Sequence, residues 1–263
     1  MKINCLDKII NHSIVTKCTL LLIGSALSVC VFAEVVTIFG NENKQPKVYL
    51  ENKQNKGVLV DIIQCVEQHT SLAMNVHLLP WQRAYNSALV LQGGVMGLSM
   101  TNERLKIIDY SEVMFFYDVM LVVKKGKEFN YSSIEDLKGK RVGGQRGGKY
   151  GEQFSQAINV VFTLDEDDSS TSRLKKLLYD RIDVAVVSPG KIGVLEVINR
   201  DPLLVKNKNK FSILPMPLKR DPNYLGFSKG MNMRPFLVEF NKGLEQCKDS
   251  GMHQLIVDKY MNI

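Results

Sequence analysis

The chain's strongest constraint on its fold is an alternation of apolar segments with amphipathic ones. VVTIFG (35–40), LAMNVHLL (72–79) and VMGLS (95–99) predict strands. VLVDIIQCVEQH (58–69) and RAYNSALVLQ (83–92) lie between them and predict helices, because their apolar residues recur at helical spacing. Strands that alternate with helices in this order favour a parallel sheet covered by helices. The polar segment before the first helix, 41–57, is predicted to be a loop with a short strand at Lys47–Leu50.

The second half of the chain repeats this alternation without a close sequence repeat. The predicted elements are DVMLVVKKG, KRVGG, NVVFTL, IDVAVV and YLGFSKG as strands, and KYGEQFSQAI, SSTSRLKKLLYDR, PGKIGVLEVINR, MRPFLVEFNKGLEQCK and MHQLIVDKYM as helices. A polar stretch at 201–210 interrupts the pattern. Two α/β lobes with a cleft between them is the architecture that accounts for both halves.

Residues 1–33 have the layout of a secretory signal peptide. Residues 1–17 contain Lys2, Lys8 and Lys17, and the apolar run CTLLLIGSALSVCVFA follows them and ends at Ala33. The run is short for a membrane span and is interrupted by Gly and Ser. We therefore predict export and a periplasmic location, with an uncleaved N-terminal anchor as the alternative.

Charge and residue types exclude several classes of function. The formal net charge is +7, but the basic residues are dispersed, with local density only at 206–210. No basic stripe interleaved with aromatic residues is present, so nucleic acid is not predicted as a partner. Four histidines without CxxC or HExxH predict neither a metal site nor another cofactor.

Two of the five cysteines, Cys65 and Cys247, lie outside the leader. Exported proteins form disulfides readily, so these two cysteines can be paired. Two isolated buried thiols are the alternative.

The segment SMTNERLKIIDYS (99–111) contains an arginine that local structure does not explain. Thr101 can cap a helical turn, but Arg104 occupies the position where a capping box has Glu or Gln. Ligands bind beyond the carboxyl ends of parallel strands, which is where Ser99, Thr101 and Arg104 lie. A guanidinium beside two hydroxyls would bind a carboxylate, and a surface arginine with two capping hydroxyls is the alternative.

A glycine-rich turn, GGQRGGKYGE (143–152), follows a predicted strand. It contains GxxxxGK, but Tyr150 stands where a nucleotide-binding loop needs Ser or Thr, so ATP is not predicted. Such a turn before a helix can bind an anion through backbone N–H groups, with Lys149 adding charge. A plain tight turn is the alternative.

Two further side chains are placed near the same cleft. Ser188 is predicted to cap the helix that begins at Pro189, or else to present its hydroxyl at the cleft mouth. Trp81, the only tryptophan, lies between a predicted strand and helix. It is a candidate apolar wall or cation–π partner, and simple packing is the alternative.

The chain resembles the family 3 periplasmic solute-binding proteins, which include amino-acid receptors of ABC importers. The segments that carry the resemblance are GVLVDIIQCVEQ, LPWQRA, SMTNERLKIIDYSEVMFFYDVMLVVKKG, IEDLKGKRVGGQRGGKYGE, LKKLLYDRIDVAVVSPGKIG and FLVEFNKGLEQCKDSGMHQLIVDKYM. The PWQRA sequence is similar to one branch of that family. The resemblance implies a two-lobed α/β fold of type II, with a ligand cleft between two mixed, mainly parallel sheets and two crossing strands. Lobe one would be 34–116 plus 222–263, and lobe two would be 117–221.

The resemblance also implies roles for individual residues. Arg104 matches the arginine that binds the ligand carboxylate, and Ser99 and Thr101 belong to the polar stretch beside it. Gly148 and Lys149 match a turn in the second lobe that donates N–H groups to the same carboxylate, and Trp81 lies near an aromatic wall position.

One position departs from the family pattern. Ser188 stands where many amino-acid receptors have an Asp that pairs with the ligand's α-ammonium. We therefore predict an acidic group on the ligand and leave the rest of the ligand open.

The sequence as a whole predicts a monomeric periplasmic protein that binds a small anionic or carboxylate-bearing solute without catalysis. Its partner would be an ABC permease or a membrane receptor, and a sensory module presenting ligand to such a receptor is one alternative. A periplasmic dehydratase on the same fold is another, and it would need a positioned acid or base, for which Glu42 and Glu103 are available.

Overall fold

The structure, a computed structural model, describes residues 35–261, so the predicted signal peptide lies outside the described residues. Within this range the chain forms thirteen strands and nine α-helices. The strands are β1 (Val35–Asn41), β2 (Asn43–Lys44), β3 (Val48–Glu51), β4 (Gln54–Lys56), β5 (Ala73–Leu79), β6 (Gly94–Leu98), β7 (Ile108–Tyr110), β8 (Phe115–Lys124), β9 (Arg141–Gln145), β10 (Thr163–Asp167), β11 (Val184–Val187), β12 (Phe211–Ile213) and β13 (Lys219–Ser228). The helices are α1 (Val58–Gln68), α2 (Trp81–Leu89), α3 (Asn102–Leu105), α4 (Glu152–Ala157), α5 (Ser170–Leu178), α6 (Gly190–Asn199), α7 (Pro202–Lys206), α8 (Arg234–Asp249) and α9 (Met252–Met261).

The main sheet has the order β10-β9-β11-β8-β13-β6-β1-β5, with β12 added beside β8 and β7 beside β13. In the first lobe β1 pairs in parallel with β5 and β6, and in the second β9 pairs in parallel with β10 and β11. The parallel strands predicted for each lobe are therefore present. The antiparallel pair β8–β13 joins the two halves into one mixed sheet.

The strands β8 and β13 are the connections between the lobes. Strand β8 leads the chain from the first lobe into the second, and β13 returns it, paired from Lys219 opposite Val119 to Asn223 opposite Phe115. Both strands begin earlier than the sequence predicts. The lobe boundaries given above fall inside these two strands and stay predictions.

Helix α1 shows how the apolar pattern builds the core of the first lobe. Its predicted apolar face, Leu59, Ile62, Ile63 and Val66, is completely buried. Helix α8 packs against it at Gly243, where a Cβ atom would come within 2.9 Å of a Val66 methyl carbon. A side chain at that position would push the two helices apart.

Three elements differ from the sequence prediction for local reasons. The stretch 201–210 includes helix α7, with Asp201 as its N-cap, accepting hydrogen bonds from two backbone N–H groups, and Pro202 at its first turn. An Asp-Pro pair is a helix-start signal, so the sequence did contain this information. Helix α4 is short because Gly151, with φ of 105°, stands at its N-cap. The segment 41–57 forms a three-stranded sheet, β2-β3-β4, rather than a loop with one strand.

Among the helices of residues 35–261, none has the length and apolar character needed to cross a membrane.

A disulfide links α1 to α8 through Cys65 and Cys247. The bond therefore joins two segments of the first lobe that are 182 residues apart in the sequence. Of the two alternatives that the sequence left open, a disulfide and two isolated thiols, the structure has the disulfide.

We expect residues 34–263, purified without reductant and denatured, to contain no titratable thiol, and to show two after reduction. Replacing both cysteines by alanine should lower the free energy of unfolding by about 2–4 kcal/mol, because the unfolded chain loses a long covalent loop. Chemical denaturation of both proteins measures this difference. Two free thiols in the unreduced protein would contradict the disulfide.

Candidate functional site

A single cavity brings together six of the seven site residues named from the sequence: Trp81, Ser99, Arg104, Gly148, Lys149 and Ser188. The first three belong to the first lobe and the last three to the second. The cavity has a volume of about 50 Å³, so it suits a small ligand. Thr101 does not line it. Its hydroxyl accepts a hydrogen bond from the Arg104 backbone N–H at 3.2 Å and caps helix α3, as its capping prediction states.

Arg104 is the most informative residue of the cavity. Its side chain is 4 % exposed, and Nη1 donates to the Ser99 carbonyl oxygen at 3.0 Å. Its Cζ lies 4.7 Å from the centre of the Tyr85 ring and 6.0 Å from that of Trp81. The buried Nε has no hydrogen-bond partner, and no carboxylate of residues 35–261 forms a salt bridge with this guanidinium. Burying a charge without a counter-charge costs free energy, and an acidic group on a ligand would supply the missing counter-charge.

Ser99 directs its hydroxyl to a protein carboxylate instead of leaving it free for an anion. Its Oγ donates to Asp221 Oδ2 at 2.6 Å, and the Tyr117 hydroxyl donates to the same oxygen at 3.0 Å. Lys219 Nζ lies 2.5 Å from Oδ1 of Asp221. Burial and the neighbouring Asp221 raise the pKa of Tyr117, so its hydroxyl stays protonated and remains a donor. The network connects β6 to both crossing strands.

The glycine-rich turn reaches the first lobe, but its N–H groups are partly used. The Gly148 N–H, expected to face the ligand, donates to the Gln145 carbonyl oxygen at 2.8 Å. Gly147 has φ of 65°, and a Cβ atom there would lie 2.6 Å from Gln82 Oε1 of α2. The cation of the turn, Lys149, reaches α3 of the first lobe.

Lys149 Nζ forms a salt bridge of 3.2 Å with Glu103 Oε2, between the second-lobe turn and α3 of the first lobe. The Glu103 side chain is 78 % exposed, so solvent screens this pair and it contributes little on its own.

The capping prediction for Ser188 is wrong by one residue. Helix α6 begins at Gly190, and Pro189 itself occupies the N-cap position without a side-chain cap. Ser188 is therefore free of that role. It is buried and lines the cavity, which agrees with the alternative placement at the cleft.

Two lysines of the segment 41–57, whose strands β2-β3-β4 form the small sheet called the front sheet below, line the cavity and were missed in the sequence. Lys47 is 5 % exposed, and its Nζ donates to Asn223 Oδ1 at 3.0 Å and lies 4.6 Å from the centre of the Tyr117 ring. Burial lowers the pKa of Lys47 to about 8, and the charge of Asp221 opposes this effect. Burial, followed by repulsion from Arg173 and Lys47, lowers the pKa of Lys44 well below its ordinary value.

Neither lysine carried a sequence signal, because both lie in a polar segment without periodicity. Tyr117 and Asp221 were missed for another reason: each lies near the start of a crossing strand, outside the predicted strand. Within residues 35–261, no group of three or more His, Cys, Asp or Glu is arranged to hold a metal ion.

Comparison with known proteins agrees with this geometry. Residues 36–263 match the bacterial extracellular solute-binding proteins, family 3. The chain belongs to this family. Its fold is the two-lobed periplasmic binding protein fold.

Individual relatives are distant. The L-cystine-binding protein TcyJ of Escherichia coli (strain K12) is 22 % identical over 227 residues, which cover 85 % of this chain and 81 % of that protein. ABC transporter arginine-binding protein 1 of the same strain is 25 % identical over 170 residues, covering 63 % of this chain and 64 % of that protein.

Solved structures share the fold. An ancestral arginine-binding protein bound to arginine has a TM-score of 0.72 and 22 % identity, covering 87 % of this chain and 98 % of the other. A histidine kinase sensor domain with similarity to periplasmic binding proteins has a TM-score of 0.75 and 15 % identity, covering 88 % of this chain and 97 % of the other. At these identities the likeness establishes the fold alone.

The lowered pKa of Lys47 gives a measurable dependence of stability on pH. The folded protein releases this proton near pH 8, whereas the unfolded chain holds it to about pH 10.5. Between these values the unfolded state binds more protons, so the free energy of unfolding of the wild type should rise relative to that of Lys47→Met. Chemical denaturation at pH 7 to 10 measures the difference.

The matched control is Lys106→Met, which removes an exposed lysine of the first lobe and should show no such trend. A constant difference between wild type and Lys47→Met over this range would show that Lys47 titrates like an exposed lysine.

Proposed function

We propose that the protein binds a small solute bearing a carboxylate or another acidic group in the periplasm and delivers it to an ABC importer. The observation that carries this proposal is the Arg104 guanidinium, which is buried, faces the cavity and lacks a carboxylate partner among the described residues. A charge-assisted bidentate bond to an acidic group would supply the missing partner. The importer is supported by the name of one relative, ABC transporter arginine-binding protein 1.

Closure of the lobes around the ligand is the proposed mechanism. The cavity takes its lining from both lobes, so a ligand contacts the second lobe only when the lobes are closed, and binding favours that state. Direct contacts between the lobes also favour closure. Besides Lys149–Glu103, Arg200 at the end of α6 lies 3.1 Å from Glu51 of β3. Such exposed pairs contribute about 0–1 kcal/mol each, so the ligand must supply the larger part.

The carboxylates in and near the cavity support binding without catalysis. Neither Glu42 nor Glu103 lines the cavity, and Glu103 is bound to Lys149. The carboxylate of Asp221 does line the cavity, but its oxygens already contact Ser99, Tyr117 and Lys219. A general acid or base needs a proton-transfer position beside the reacting atom, and these contacts keep Asp221 from offering one.

The same fold serves as a sensor domain in a histidine kinase, so a ligand-presenting sensor is the second candidate function. Uptake of radiolabelled ligand separates the two. Deleting the gene should abolish high-affinity uptake if the protein serves an importer, and should leave uptake unchanged if it serves a sensor.

The role of Arg104 is tested by replacing it with methionine. A thermal-shift screen of amino acids and organic acids first finds the acid that stabilises the wild type most, since a ligand at a hundred times its dissociation constant contributes about 2.7 kcal/mol. Calorimetry with that acid should give a dissociation constant at least about tenfold higher for Arg104→Met. The unliganded variant should be as stable as the wild type or more stable, because a buried unpaired charge is removed.

Arg83→Met is the control, because Arg83 is an exposed arginine of α2 and its loss changes the net charge equally. It should bind like the wild type. An unchanged isotherm for Arg104→Met would refute the assignment of the anchor.

A further inference from the structure

The front sheet brings two more cations to the cavity that contains Arg104. Lys44 lies in β2 and Lys47 directly before β3, and both line the cavity. Lys47 makes hydrogen bonds to neutral groups only, of which Asn223 Oδ1 at 3.0 Å is the shortest. Lys44 is half-buried, and within residues 35–261 its Nζ forms no hydrogen bond or salt bridge.

The cavity thus holds three cationic side chains, Lys44, Lys47 and Arg104, that have no salt bridge to any carboxylate between residues 35 and 261. The pKa shifts point the same way. The pKa values of both lysines are lowered, chiefly by burial, which outweighs the opposing charges of Asp221 at Lys47 and of Asp167 at Lys44. If the ligand had a single acidic group and it bound Arg104, the charges of Lys44 and Lys47 would still lack a counter-charge.

The acidic side chains near the cavity are already engaged. Asp221 is 2 % exposed and accepts from Ser99 and Tyr117, with Lys219 beside its other oxygen. Asp167, which lies close enough to Lys44 to influence its pKa, accepts a hydrogen bond of 2.6 Å from buried Arg173.

Asp221 is the only carboxylate among the described residues that line this cavity, and both of its oxygens already contact Ser99, Tyr117 or Lys219, so a ligand ammonium group would have to compete with them. The second-lobe position that lines it at the end of β11 is Ser188, whose hydroxyl carries no charge. An ammonium group placed among Lys44, Lys47 and Arg104 would instead be repelled.

We infer that the ligand is a short dicarboxylate without an ammonium group, with one carboxylate on Arg104 and the other between Lys47 and Lys44. This inference rests on the proposed function, because it assumes that Arg104 binds the first acidic group. It differs from what the names of the relatives state, since cystine and arginine both carry ammonium groups. Two carboxylates would supply counter-charges to cations that have no salt bridge within residues 35–261.

The test compares ligands of equal chain length by calorimetry on residues 34–263. Succinate is paired with aspartate, glutarate with glutamate, and butyrate serves as the acid with a single carboxylate. We expect succinate or glutarate to bind at least about tenfold more tightly than its amino counterpart and than butyrate. An amino acid that binds as tightly as its dicarboxylate counterpart, or no detectable binding of either dicarboxylate at millimolar concentration, would overturn the inference.

Variants locate the second carboxylate. Lys47→Met should weaken binding of the dicarboxylate at least about tenfold and leave binding of butyrate unchanged, which removes the preference for two acidic groups. Lys44→Gln, at a less buried position, repeats the test if Lys47→Met does not fold. Lys106→Met, at an exposed position of the same lobe, should bind both acids like the wild type. An unchanged preference in both Lys47→Met and Lys44→Gln would overturn the inference.

The two proposals fail in different ways. If Arg104→Met binds its acid like the wild type, the proposed function fails. If Arg104 is required but amino acids bind more tightly than dicarboxylates, only the present inference fails.

Discussion

The structure depends on a guanidinium that the fold buries without neutralising. Helix α3 is a single turn whose N-cap, Thr101, binds the Arg104 backbone N–H, and the Ser99 carbonyl oxygen holds one end of the side chain. The Tyr85 ring covers the guanidinium, so its orientation is fixed before a ligand arrives. A fixed charge gives up little conformational entropy on binding, and the missing counter-charge makes an acidic group the natural partner.

The polar network on the crossing strands connects this site to lobe closure. Asp221 and Asn223 of β13 and Tyr117 of β8 contact Ser99 of the first lobe and Lys47 of the front sheet. In the proposed mechanism β8 and β13 move when the lobes open, so the same segments position Lys47 and Ser99. The proposed closure would therefore give the ligand contacts that exist only in the closed state, so that binding shifts the population to that state.

Local sequence predicted the parts of the site that are built locally. Arg104, Ser99 and Trp81 each follow a strand at the edge where ligands bind in a parallel sheet, so strand assignment alone brought them together. The apolar face of α1 was predicted for a similar reason, since its spacing is a property of one helix. The Ser188 cap was wrong because Pro189 took the N-cap position for itself, a shift of one residue that the dipeptide did not reveal.

Long-range contacts could not be predicted in this way. Lys47 and Asn223 are 176 residues apart, and Ser99 and Asp221 are 122 apart, so no pattern within either segment indicates the pairing.

The most direct test of the role of Arg104 is a crystal structure of the protein with its bound solute. We expect an acidic oxygen of the solute within hydrogen-bond distance of the Arg104 guanidinium. A solute bound in the cavity while Arg104 contacts only the Ser99 carbonyl oxygen would contradict it.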